Sequence, residues 1–247
     1  MIKHIKLQIV LGLSLLLSSV LLYLAQVEIF HDSRNTFFYL FQDLAFIPIQ
    51  VLIVTLILNQ LLIAREKIAK LHKIYMIIGV FFSEIGTELM KSLVGDDRHS
   101  DQIRNDLMIN GDWTVSEFSR ASKRIKTHDA KILWDQEDLT RLQNLLAQKR
   151  GFLTGLLQTP NLLEHETFTD LLLAVFHLAD ELSYRPQECH LSENDCQHLS
   201  GDMKRAYLLL ISEWLAYLKH LKENYPYLYS LALRTNPFDP NASPVFK

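Results

Sequence analysis

Two apolar runs near the N-terminus constrain this chain more than anything else in it: "LQIVLGLSLLLSSVLLYLAQV" from Leu7 to Val27 and "LAFIPIQVLIVTLILNQLLIA" from Leu44 to Ala64. Each has about the twenty residues that a helix needs to cross a bilayer core. Gln8, Gln26 and small serines are the only interruptions in the first. A secretory signal peptide is the competing reading, because Lys3 and Lys6 form a basic leader. Cleavage after Ala25 would place Tyr23 at the −3 position, where a small residue is required, so an uncleaved anchor is expected. Residues 28–43 are too short to fold alone, and the two runs together predict a transmembrane helical hairpin.

The flanking charges set an orientation. Lys3 and Lys6 precede the first run, and Arg65, Lys67, Lys70 and Lys73 follow the second, whereas Arg34 is the sole Lys or Arg between them. Positive flanks stay in the cytoplasm, so the prediction is a multi-pass cell-membrane protein with both termini cytoplasmic. Phe37, Phe38, Tyr39 and Phe41 in the intervening segment suit an interfacial anchor, with a small-ligand sensor as the alternative.

Beyond the membrane runs the expectation is all helix. Eight Gly and seven Pro among 247 residues leave little room for strands and turns. Leu61, Ala64, Ile68, Leu71, Tyr75, Ile78, Phe82, Ile85 and Leu89 recur at alternating spacings of three and four, a seam leaving the second run. Ile74, Ile77 and Phe81 widen it beyond a two-stranded coiled coil. The spacing then predicts a weaker helix over 99–108 and a basic helix after the "TVSE" capping pattern at Thr114. Further helices are expected over 138–157, 162–184 and 200–224. Met203, Tyr207, Leu210, Trp214, Tyr217 and Leu221 make the last one the central core helix, with Glu213 and His220 beside its seam. The fold class is therefore all-α, a transmembrane helical hairpin followed by a cytosolic helical bundle. Its parts are the hairpin at 1–64, an extending helix at 65–95, the domain at 96–224 and an aromatic, proline-rich tail at 225–247.

Candidate site residues are few. Glu166, Asp170, His177 and Glu181 lie along one stripe of a helix, and His177 and Glu181 stand four apart, a pairing that can ligate a metal or pass a proton. A carboxylate-bridged two-metal bundle would carry two Glu-x-x-His motifs, which the chain lacks. Cys189, His190, Cys196 and His198 fall within "ECHLSENDCQH", but their spacing fits no common zinc pattern, and a polar loop is the expected reading. In the cytosol both cysteines would be reduced thiols.

The tail raises a separate question. Pro226 cannot continue the preceding helix, and Tyr227, Leu228, Leu231 and Leu233 are offered for burial before "NPFDPNASP" turns the chain again. A groove on the domain and the lipid headgroup layer are both open as receivers. The stretch "HLKENYPYLYSLALRTNPFDP" resembles the C-terminal signature of small uncharacterised prokaryotic two-span membrane proteins. The resemblance covers the tail and the layout, and it implies no activity and no catalytic residue.

The net charge of −3 argues against nucleic acid as a partner. Phosphate-binding glycine loops, a nucleophile elbow and the zinc-protease helix motif are all absent from the sequence. The leading expectation is a non-enzymatic, membrane-anchored module for assembly or partner binding, with the bilayer, a second copy or another protein as partner. Ile78, Phe82, Tyr227 and Leu231 are its candidate interaction residues. No cofactor is expected under that reading. A divalent metal on the His177 face is the enzymatic alternative. A membrane-perturbing effector that uses Gln50, Asn59 and Gln60 between helices is a third.

Overall fold

The computed structural model describes residues 2–31, 33–159, 162, 165–185 and 191–245, with the backbone alone described at residues 2–11, 30 and 33. Among the described residues there are helices and no strand; the one extended pairing is an isolated antiparallel bridge between Asp97 and Ile132. Contacts divide the chain into two units, Met1–Lys67 and Ile68–Lys247.

The first unit contains α1 (Ile2–Phe30) and the greater part of α2 (Ser33–Phe81). The chain turns at His31, whose φ of 51° is in the left-handed region that single turn residues adopt. The segment 28–43, read from the sequence as a connection, is helical on both sides of that turn. Its aromatic residues therefore sit on the first turns of α2, with Phe37 and Phe41 exposed. Tyr23 Oη donates to Asp43 Oδ2 at 2.9 Å, which links α1 to α2. The apolar side chains described in this unit are mostly bare, with Leu22 at 69% and Leu62 at 66% exposure. Both are long and apolar enough to cross a membrane.

The second unit begins on α2 and widens into a π-helical turn, Phe82–Gly86, before α3 (Thr87–Asp96). Thr87 Oγ1 donates to the Phe82 carbonyl at 2.8 Å across this turn. Phe81, Phe82, Ile85 and Gly86 are all buried around this turn, whose extra residue shifts the helical phase. A side chain at Gly86 would displace its neighbours, since a Cβ would stand 2.7 Å from Phe82 and 2.8 Å from Phe81. Ile78 is fully buried, so it is a core residue and not the surface for association that the sequence suggested. Phe82, 3% exposed, packs in the core with one side on a cavity.

Short helices α4 (Ser100–Leu107) and α5 (Val115–Thr127) follow, the second opened by the expected capping box of Thr114 and Glu117. The loops flanking them are tied together by Asp97. Its Oδ1 accepts from the His99 and Lys131 amides at 2.9 and 3.0 Å, and its Oδ2 is 2.8 Å from His128 Nε2. Then come α6 (Gln136–Leu157), α7 (Glu166–Ser183), α8 (Glu193–Asn224) and α9 (Pro226–Arg234). Helix α8 is the central element as expected, packing on α3, α5, α7 and α9, with Met203, Tyr207, Leu210, Trp214 and Leu221 buried.

Two helix starts differ from the sequence reading. Helix α7 begins at Glu166 rather than near Leu162, which is instead buried in the preceding turn. Helix α8 begins at Glu193, seven residues earlier than Ser200, because Ser192 caps it: its Oγ accepts from the Asp195 amide at 3.2 Å and donates to the Asp195 carboxylate at 3.0 Å. Cys196 and His198 therefore lie on a helix and not in a polar loop. Cys189 and His190 lie outside the described residues.

Of the tail residues expected to be buried, Leu233 packs partly buried against the core, and Tyr227, Leu228 and Leu231 stay exposed. Pro226 opens α9, and helical spacing from there turns Tyr229 inward while Tyr227 and Leu231 stay 70% and 44% exposed. Tyr229 Oη donates to the Asn110 carbonyl at 2.8 Å, and Asn236 Nδ2 donates to the Leu107 carbonyl at 2.8 Å. Phe238, 1% exposed, packs against Trp214 with ring centroids 5.7 Å apart. The domain surface thus receives this segment through Tyr229, Asn236 and Phe238.

Candidate functional site

Two places in the second unit gather polar or aromatic groups in a way that packing alone does not require. The first lies where α7 meets the opening turns of α8. His177 and Glu181 stand four apart on α7, and His198 and Asp202 stand four apart on α8, so each helix presents two chemistry-bearing side chains on adjacent turns of one face. Asp202 Oδ2 is 3.3 Å from His177 Nε2 and 3.4 Å from His198 Nε2. The Asp202 side chain is 5% exposed, and its Oδ2 accepts no hydrogen bond. Its other oxygen lies 3.7 Å from Arg205 Nη1. A buried carboxylate oxygen without a donor is costly, so its surroundings call for a cation.

Glu181 flanks this group. Its oxygens lie 4.0 Å from His177 Nε2 and 3.9 Å from His198 Nε2. Arg185 Nη1 donates to Glu181 Oε2 at 2.6 Å, and this bond holds the Glu181 carboxyl below its ordinary range. The pair His177 and Glu181 picked out by sequence spacing is therefore at the site, but the Asp202 contact to His177 is the closer one. Glu166 and Asp170 are exposed and do not join it. Residues eleven and seven positions away on one helix are displaced along its axis by about 16 and 10 Å, so a single stripe does not converge on one point. His198 was read from the sequence as part of a polar loop because the helix start was placed too late, and Asp202, inside the expected helix, was not singled out. The Ser192-Glu-Asn-Asp195 capping pattern was the available signal.

The second place is a cavity of about 650 Å³ between the end of α2, α8 and α9. Aromatic rings build its floor. Tyr75 stacks on His220 with centroids 3.8 Å apart, and Phe82 stacks on Tyr217 at 5.6 Å. Gly79 gives Tyr217 its room, since a Cβ there would stand 2.7 Å from the hydroxyl. His72 and Tyr225 are hydrogen-bonded at one end. Burial and the neighbouring His72 pull the His220 imidazole below its ordinary pKa. Tyr227 and Leu231 line the mouth, which is where the structure places the exposed half of the interaction residues read from the sequence.

Next to the Tyr75 ring, Glu213 is a buried acid. Thr167 Oγ1 donates to its Oε1 at 2.8 Å, and His165 Nδ1 lies 3.7 Å from the same oxygen. Burial pushes the Glu213 carboxyl up. His165 also caps α7 through the Phe168 amide at 3.4 Å, which gives the imidazole a structural task.

Fold and sites together define an all-helical protein of two units, an apolar N-terminal one and a compact C-terminal one. Comparison with known proteins divides the chain in the same way. Residues 2–62 match the family described as "MJ1433, N-terminal helical domain", and residues 70–234 match "Uncharacterized protein MJ1433, C-terminal helical domain". Uncharacterized protein MJ1433 of Methanocaldococcus jannaschii is 44% identical over 231 residues, covering 94% of this chain and 93% of the relative. The chain belongs to the MJ1433 family. No solved structure matches it.

Proposed function

We propose that the protein is a membrane-anchored, non-enzymatic binding module whose helical domain, on the cytoplasmic side, holds an apolar helix of a protein partner in the aromatic cavity. The observation that carries this reading is the cavity, with its rim of exposed apolar side chains: Met76, Val80, Tyr227 and Leu231. A volume of this size admits a few large side chains, and an amphipathic helix presents them at suitable intervals.

Anchoring is supported by the bare apolar surface of α1 and α2, which nothing else among the described residues covers. Removing such surface from water is worth about 25 cal/mol per Å². The placement of Lys and Arg favours both termini in the cytoplasm.

The test places a photoreactive residue at position 227 of the full chain in cell membranes. The expected result is a discrete protein adduct that disappears in Leu231→Glu while the melting temperature is unchanged. An adduct of the chain with itself would identify the partner as a second copy. Adducts to lipid alone, or a protein adduct indifferent to Leu231→Glu, would overturn the reading.

A further inference from the structure

We propose that His177, His198 and Asp202 form a binding site for one divalent transition metal ion of the zinc type, open to solvent on its outer side. This goes beyond the cavity reading and does not depend on it.

The distances carry the inference. Bonds of roughly 2.0–2.1 Å from a tetrahedral ion to nitrogen and oxygen place neighbouring donor atoms about 3.3–3.4 Å apart. The two contacts of Asp202 Oδ2 with His177 Nε2 and His198 Nε2 are 3.3 and 3.4 Å, and all three donor atoms lie within 4.8 Å of one another. Despite these short separations Oδ2 accepts no hydrogen bond from either imidazole.

Burial adds a second, independent observation. Asp202 is nine-tenths buried, and its unpartnered oxygen faces the two imidazoles. An ion there would supply the positive charge that Arg205, 3.7 Å from the other oxygen, does not bring to Oδ2. The site is also built on packed helices: His177 stands on α7, and His198 and Asp202 stand on adjacent turns of α8, which the Ser192 cap opens.

Ligand chemistry selects the class of ion. Two imidazoles and a carboxylate suit zinc and its first-row neighbours, whereas calcium and magnesium prefer oxygen donors throughout. The His177 and His198 side chains are 45% and 55% exposed, so three protein ligands would leave a position for water on the solvent side. Glu181, farther from both imidazoles and paired with Arg185, would border that position as a hydrogen-bonding neighbour rather than a ligand.

The test uses full-length protein in detergent, stripped with chelator and titrated with Zn²⁺ by calorimetry and with Co²⁺ by visible absorption. One ion per chain is expected, with the Co²⁺ bands of a low-coordinate site. Outer partners of metal ligands are typically worth 10–100-fold in affinity, so losing a ligand in His198→Gln or Asp202→Asn is expected to cost at least about 100-fold. Glu181→Gln is expected to fall in the outer-partner range, and Glu166→Gln and Asp170→Asn to leave binding unchanged. Melting of the metal-free variants separates lost ligation from lost folding. Should Asp202→Asn not fold, the solvent-facing His198→Gln decides. Absence of stoichiometric binding to the stripped wild type, or binding that survives His198→Gln, would overturn the proposal; neither result bears on the adduct at position 227.

Discussion

Asp97 Oδ2 and His128 Nε2 lie 2.8 Å apart with both side chains closed off from solvent, and the same carboxylate caps two backbone amides. Breaking a buried pair from one side strands the other partner, which typically costs about 3–5 kcal/mol. His128→Ala is expected to lose stability in that range. Asp97→Asn combined with His128→Ala should cost less than the two single losses summed. A denaturation cycle on the full chain measures both, and additivity would show that the two groups do not act as a pair.

The tail makes a sharp contrast between neighbours. Phe238→Ala removes a buried ring that touches Trp214, and such truncations cost about 3–5 kcal/mol. Tyr227→Ala, at an exposed site on α9, should stay within about 0.5 kcal/mol of wild type. Thermal melting followed by tryptophan fluorescence distinguishes the two, because only Phe238 borders an indole.

Asp96 gives a pH dependence. Burial, reinforced by the nearby Asp138 carboxylate, pushes its carboxyl from 3.8 up to about 6. The folded state therefore favours the protonated form. That contribution is complete below the ordinary carboxylate pKa and is lost as the pH rises through about 6. Asp96→Asn is expected to raise the melting temperature at pH 7 and to leave it nearly unchanged at pH 4. A rise equal at both pH values would contradict the assignment.

Two glycines should respond to alanine in opposite ways. At Gly86 the new methyl meets the Phe81 and Phe82 rings, and overpacking of a filled core typically costs about 1–3 kcal/mol. Gly95 lies on α3 with nothing within 4 Å, so Gly95→Ala should gain about 0.4–1 kcal/mol by restricting the unfolded chain. Paired melts of the two variants check the signs.

Much of this fold was legible in the sequence because its helices carry strong local signals. The capping pattern at Thr114 and the seam of α8 each state their element within a few residues. The site was half legible. Spacing on one helix named His177 and Glu181, but the closer partner of His177 comes from another helix, and a period of 3.6 says nothing about which faces of two helices meet. The reading of Ile78 as part of an association surface failed for a related reason. A wide apolar stripe looks the same in sequence whether its cover is a second chain or the chain's own α8. In the tail, apolarity drew attention to Tyr227 and Leu231, whereas the helical phase set by Pro226 decided that Tyr229 would be inside.

The π-helical turn at Phe82–Gly86 makes the attachment of α2 to the domain core a question of phase. One residue corresponds to about 100° of rotation about a helix axis. Shortening the turn by its solvent-facing Ser83 would restore an ordinary helix and swing the adjoining turns of α2 by that angle, carrying Ile78 away from the core. The surplus residue therefore works as a spacer in angle rather than in length. Substitutions at position 83 should leave Ile78 in its place, while a single-residue deletion there would turn it out of the core.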